Sequence, residues 1–159
     1  MVPTGTEETV CRLVREYSDM LLRLACTRLS SVSDAEDAVQ EVFLRLLAAP
    51  VSFRDAGHER AWLIRATLHR ARDIRRQEER RNLPLEEAAW QEAPEPEPDL
   101  LQAVQALPEK YGAVIHLHYY EGYSIKEIGT LLGLSAATVG TRLARGRERL
   151  RKMLKEEIR

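Results

Sequence analysis

The residues best equipped for chemistry in this sequence are arginines. Between Arg142 and Lys155 stand Arg142, Arg145, Arg147, Arg149, Arg151, Lys152 and Lys155 against Glu148 alone, an electrostatic footprint for phosphates. A second run, from Arg60 to Arg81, holds eight arginines against Asp73, Glu78 and Glu79, with Trp62 among them. Cations interleaved with an aromatic suit single-stranded nucleic acid, whose bases stack and whose phosphates are neutralised. On this segment alone a surface helix that is merely arginine-rich reads the same way. Covalent chemistry finds no such support. No nucleophile stands beside a base, no glycine loop could cradle a phosphate, and His116 and His118 have no Cys or carboxylate partners at metal spacing. The expectation is therefore a binding protein with no cofactor or metal rather than an enzyme, the two histidines being structural.

The C-terminal cluster needs a scaffold, and Tyr123 to Leu150 supplies one. Ile125, Ile128, Leu131 and Leu132 share a helical face, and Gly133 breaks the pattern where a residue free to take positive φ is needed. Ser135 then stands where its hydroxyl can cap a new helix starting at Ala136. Two helices on a tight glycine-containing turn predict a helix-turn-helix. In its second helix Ala136, Val139, Leu143 and Leu150 form a core face, leaving Thr138, Thr141, Arg145 and Arg149 outward with Arg142 at the margin. Small and hydroxylated residues followed by arginines suit a recognition helix in the major groove. An αα-hairpin with a solvated basic face is the alternative. Gly140 and Gly146 each cost such a helix about 1 kcal/mol relative to alanine, so a compensation is expected, close approach of a partner to the backbone being one candidate.

The elements upstream are helical too. Val10, Leu13, Val14, Tyr17, Leu21 and Leu24 predict a first helix over about Thr6 to Leu29. Ser33 with Glu36 reads as a capping box opening a second helix, whose stripe runs through Val39, Val42, Phe43, Leu46 and Leu47 until Pro50. The exposed side of that helix offers Asp37, Gln40 and Glu41, which by themselves read as ordinary solvation. A third long helix is predicted from about Glu59 to Arg81, with Ala61, Ile64, Leu68 and Ala71 on one stripe and Trp62 and Leu63 off it. Two short helices follow at Leu100 to Leu107 and Glu109 to Tyr120.

Residues 84–99 differ from everything around them: Pro84, Pro94, Pro96 and Pro98 stand among six acids with no base. This stretch reads as an acidic tether between domains. The formal net charge of −1 on 159 residues hides this contrast. The fold class is all-α: two small helical domains, residues 1–83 and 100–159, joined by a flexible acidic linker over 84–99. The acidic N-terminal stretch does not look like a signal peptide, and no segment approaches membrane-spanning length, so no membrane insertion and a cytoplasmic location are expected. Cys11 and Cys26 lie fifteen residues apart on one predicted helix, out of disulfide reach, and read as buried thiols.

With both halves in view the chain resembles the bacterial extracytoplasmic-function sigma factors of the sigma-70 family, from about Val10 to Leu154. The motifs that carry the likeness are DAEDAVQEVFLRL (Asp34 to Leu46), FRDAGHERAWLIRATLHRARDIRR (Phe53 to Arg76) and ALPEKYGAVIHLHYYEGYSIKEIGTLLGLSAATVGTRLARGRERL (Ala106 to Leu150). The resemblance implies sigma domain two followed by sigma domain four. It implies that Asp37, Gln40 and Glu41 grip the clamp coiled coil of core RNA polymerase, whose flap is a second contact. It implies that the third helix melts the promoter and holds extruded bases of the non-template strand, through Trp62, Arg65, His69, Arg72, Asp73 and Arg76. The helix-turn-helix would read the minus-thirty-five element as duplex, through Lys126, Thr138, Gly140, Thr141, Arg142 and Arg145. An anti-sigma factor is an implied partner. Two positions depart from the family pattern: His69 stands where Asn is common, and Gly140 where Lys or Arg is common, whereas Asp73 is where expected. A dimeric helix-turn-helix regulator independent of polymerase remains the main alternative, and a nucleic-acid-processing accessory enzyme a more distant one.

Overall fold

A computed structural model describes residues 4–82 and 100–158, and every regular element among them is a helix. The acidic linker expected over 84–99 lies outside the described residues. In order come α1 (Thr4–Cys26), α2 (Val32–Ala48), α3 (Ala56–Asn82), α4 (Leu100–Ala106), α5 (Glu109–Ile115), a π-helical turn (His116–Tyr120), α6 (Ile125–Leu132) and α7 (Ala136–Ile158).

The first three helices pack on one another because each carries an apolar stripe: Leu13, Leu21 and Leu24 of α1, Val42, Phe43 and Leu46 of α2, and Leu63, Ile64 and Leu68 of α3 are all buried. Leu63, expected off the stripe, is fully buried because α3 is covered on more than one side. The cap of α2 differs from expectation. Ser31, not Ser33, has the extended backbone of a cap and accepts from Asp34 N at 3.2 Å. Both serines could do this locally, and the one that lets the helix start two residues earlier, at Val32, prevails. Asp55 opens α3 in the same manner, accepting from His58 N at 2.7 Å.

The predicted helix-turn-helix is present. Ser124 and Glu127 form a reciprocal capping box at the start of α6, Gly133 ends it with φ of 70°, and Leu134 N returns to Gly129 O at 2.8 Å. Ser135 Oγ then accepts from Thr138 N at 3.1 Å to start α7. Val139, Leu143 and Leu150 are buried as expected, but Ala136, at the mouth of the turn, is exposed. The helix expected to run from Glu109 to Tyr120 instead widens at His116, where Glu121 N bonds back to His116 O at 3.1 Å. This one-residue excess swings Glu121 toward His116, whose Nε2 lies 2.7 Å from Oε2. His116 therefore has a carboxylate partner that its sequence spacing did not suggest, and Tyr120 stacks on its ring at 5.1 Å. Burial holds the His116 pKa below the ordinary imidazole value despite that carboxylate.

The two halves, expected as separate units on a tether, are in contact. At their junction Arg28 is buried and donates to Leu107 O at 3.0 Å and Val104 O at 2.6 Å, capping the carbonyl end of α4. Gln105 Nε2 reaches the other way, to Cys26 O at 2.6 Å and Leu29 O at 3.1 Å. The cysteines are both free, but Cys11 is exposed and Cys26 only half-buried, contrary to the expectation of two buried thiols. Position 11 falls on the solvent side of α1, one residue past the core position Val10.

Candidate nucleic-acid and partner interfaces

Three surfaces emerge once the helices are placed. On α2, Asp37, Gln40 and Glu41 are all exposed on one face, because spacings of three and four residues align on a helix whose opposite side holds Ala38, Val39 and Val42 in the core. Glu41 is not simply solvated: Arg70 of α3 grips its carboxylate with two nitrogens, fixing its rotamer. Beside Gln40 runs an open apolar groove of about 750 Å³ between α1 and α2, edged by the exposed Val14 and Leu44. Sequence periodicity passed over Leu44, which lies just outside the core stripe.

On α3 the six expected residues divide. Trp62 is half-buried, its ring meeting Phe53 edge-on at 5.9 Å. His69 is exposed, 3.9 Å from Asp73 on the next turn, and Arg76 is exposed. Arg65 and Arg72 instead turn toward the C-terminal half. They line, together with His69, Glu109, Lys110 and Arg142, a cleft of about 570 Å³. The structure thus brings three residues of the first nucleic-acid group against one of the second, which sequence reasoning had kept apart.

On the helix-turn-helix, Lys126, Thr141 and Arg145 are exposed, and Arg142 is half-buried at the cleft. Thr138 already shares its hydroxyl with Ser135 Oγ at 2.8 Å, so part of its hydrogen-bonding capacity serves the cap. Tyr111 of α5, which sequence reasoning did not single out, is a platform for this face: Arg149 lies 4.9 Å and Lys110 5.0 Å from its ring centre. Burial raises the Tyr111 pKa, but the hydrogen bond with Arg145 and the neighbouring cations outweigh this and hold it below the ordinary phenol value.

The two α7 glycines prove different. A Cβ on Gly146 would lie 3.0 Å from Ile115 Cγ1, so the close approach anticipated there is made by α5 of the same chain. A Cβ on Gly140 would meet nothing within 4 Å beyond its own helix. Gly140→Ala is accordingly expected to raise stability by about 1 kcal/mol, read as a higher urea midpoint, while Gly146→Ala should lower it. A fall in stability for Gly140→Ala would mean that its backbone is already engaged in the free protein.

Among the described residues no group of three or more His, Cys, Asp or Glu side chains could hold a metal ion, and no helix is long and apolar enough to cross a membrane. Residues 13–81 match Sigma-70 region 2, and residues 98–150 match Sigma-70, region 4. The ECF RNA polymerase sigma factor SigW of Bacillus subtilis is 31% identical over 175 residues, an alignment covering 98% of this chain and 94% of SigW. SigE of Mycolicibacterium smegmatis, also an ECF RNA polymerase sigma factor, is 32% identical over 155 residues, covering 89% of this chain but 60% of SigE's length. Among solved structures, CnrH in complex with the cytosolic domain of CnrY matches with a TM-score of 0.67 at 25% identity, covering 97% of this chain and 92% of CnrH. The sigma factor RpoE in complex with the anti-sigma factor NepR from Bartonella quintana shares the fold, with a TM-score of 0.64 at 20% identity over 96% of this chain and 98% of that one. Two sigma-70 regions in their proper order, and a relative matched along almost its whole length, make this chain a member of the extracytoplasmic-function RNA polymerase sigma factors.

Proposed function

We propose that the protein is a promoter-specificity subunit, which binds core RNA polymerase, directs it to particular promoters and assists their opening. The observation that carries this reading is the presence, on one chain, of an exposed Asp37, Gln40 and Glu41 face within region 2 and a cationic helix-turn-helix within region 4. Residues 1–83 act as domain two and 100–159 as domain four, joined through 84–99. The α2 face, extended by the apolar groove at Leu44, meets the polymerase clamp. The α3 residues Trp62, Arg65, His69, Arg72, Asp73 and Arg76 hold single-stranded DNA through stacking and phosphate contacts. Lys126, Thr138, Gly140, Thr141, Arg142 and Arg145 approach duplex DNA, where arginine forks read base edges and hydroxyls reach phosphates.

In this role the protein makes and breaks no covalent bond: the polymerase supplies catalysis, and the subunit supplies position and electrostatics. The setting is the cytoplasm, where DNA and polymerase meet. The related RpoE is held by an anti-sigma factor, and we propose a partner of that kind here.

Capture of purified core polymerase by the tagged protein tests the reading. Wild type is expected to retain polymerase, and an Asp37→Ala, Gln40→Ala, Glu41→Ala variant to lose at least about tenfold in retention, the effect of deleting a polar cluster at the centre of an interface. Absence of capture by wild type, with a symmetric duplex site footprinted by the free protein, would favour an independent regulator and end the proposal.

A further inference from the structure

A smaller cavity, of about 320 Å³, lies where α3 passes the turn between α4 and α5, and its charged lining is Arg28, Arg72, Arg75 and Arg76 against Glu79 and Glu109. Arg75 and Arg76 stand three and four residues after Arg72, which sets the three on one side of α3. Few of these charges are fully spent. Arg72 is the one held tightly, its fork on Glu109 closed by two bonds of 2.7 Å. Arg75 donates to Gln105 O at 3.0 Å, but Glu79 is 3.9 Å from its Nε. Arg76 is exposed and has no hydrogen bond or ion pair among the described residues.

Arg28 adds a second, independent feature. It is buried, and while its two terminal nitrogens cap α4, its Nε has no partner among the described residues. Buried donors are nearly always satisfied, so an unused one beside a cationic cavity calls for an acceptor from outside the chain. Burial, and then the like charge of Arg75, press the Arg28 pKa down, and Glu109 acts the other way. An anion in the cavity would act with Glu109, offsetting the repulsion between the two guanidiniums.

The charge balance and the volume narrow the kind of anion. Four guanidiniums against two carboxylates leave an excess of two positive charges. A lone carboxylate ligand could not neutralise that excess, whereas a terminal phosphate alone carries about −1.5 to −2 at neutral pH. Arginine forks also fit phosphate oxygens two at a time. The volume falls at the lower end of ligand pockets, about 300–1,000 Å³, which suits a short phosphate chain.

We propose that this cavity binds the diphosphate group of a small phosphorylated metabolite, held by Arg75 and Arg76 and, from the buried side, by Arg28. The site itself does not depend on what α3 does. Its consequence does: Arg72 and Arg76 are assigned to single-stranded DNA, so on the promoter-subunit reading an occupied cavity competes with that strand for both.

Pyrophosphate is the probe, added to the full chain at constant ionic strength while amide signals are followed by NMR. Those of Arg72 to Glu79 and of Ala106, Leu107 and Glu109 are expected to move together and to saturate. Movement confined to Arg142 to Lys155 would place the ion on the α7 cations and overturn the proposal, as would no saturable movement at all. The Arg75→Gln variant, which keeps a donor for Gln105 O, is expected to bind pyrophosphate about tenfold more weakly by calorimetry, the loss of one charged hydrogen bond. An unchanged affinity overturns the site, and the wild-type spectra decide the matter even if that variant does not fold. A deoxythymidine dinucleotide, whose phosphodiester is the phosphate of a DNA strand, separates the two sources of this chemistry. Pyrophosphate should bind at least about tenfold more tightly than the dinucleotide; equal affinities would make the cavity a seat for DNA backbone and overturn the metabolite. None of these measurements involves polymerase, so their failure and the failure of the promoter-subunit reading are separate results.

Discussion

Gly112→Ala is expected to destabilise the folded chain by on the order of 3 kcal/mol, the upper range for overpacking a filled core. A Cβ at that position would lie 1.9 Å from Arg28 Nη2 and 2.5 Å from Arg28 Cζ. The guanidinium cannot simply withdraw. Arg28 is 3% exposed, and its bonds to Val104 O and Leu107 O satisfy the end of α4, so leaving would strand two buried carbonyls. Burial, reinforced by nearby Arg75, pulls the Arg28 pKa down to about 10, which keeps it charged at neutral pH. Its Nε is buried without a partner among the described residues, so Arg28→Met, which retains volume and removes the charge, should be milder than Arg28→Ala. The decisive measurement is a double-mutant cycle by urea denaturation. Arg28→Ala alone should cost about 2 to 4 kcal/mol. In its absence Gly112→Ala meets no guanidinium, so the double variant should be at least about 1 kcal/mol more stable than the sum of the two predicts. Additive costs would show that Arg28 does not fill the space against Gly112 in solution.

This junction also marks where sequence reading stopped. The helix-turn-helix was legible because its determinants are local: Gly133 supplies a left-handed backbone and Ser135 a cap within four residues of the groups they serve. The α2 face was legible because helical periodicity places Asp37, Gln40 and Glu41 together without knowledge of anything else. Arg28 acts on carbonyls 76 and 79 residues away, and Gly112 is needed only because Arg28 arrives. No local pattern encodes either. The choice between Ser31 and Ser33 as cap was open locally, since both can accept from the backbone two or three residues on. The π-helical turn was hidden because one extra residue leaves composition unchanged while rotating all that follows by about a quarter turn. Gly140 and Gly146 looked alike in sequence; packing of α5 against one and nothing against the other separates them. Even the arginine runs were read correctly as charge yet not as contacts, because whether Arg65 faces solvent or Leu131 depends on how the halves meet.

Arg145→Ala is expected to weaken binding of the polymerase-bound protein to its upstream duplex element by about 1 to 3 kcal/mol and to relax preference at one base pair. The side chain is exposed on the same face as Thr141, one turn earlier, whereas Arg142 is half-buried at the cleft. Arg145 also lies near the Tyr111 hydroxyl, whose pKa it helps to lower. If the fork reads a base edge, Arg145→Lys should keep the salt dependence of binding and still lose discrimination, because a single ammonium cannot reproduce two parallel donors. The opposing outcome is equally clear. Uniform weakening across all duplexes, with the slope of log K against log salt reduced by about one, would identify Arg145 as a phosphate contact. Base reading at this surface would then have to pass to its neighbours on α7, of which exposed Thr141 is the better placed.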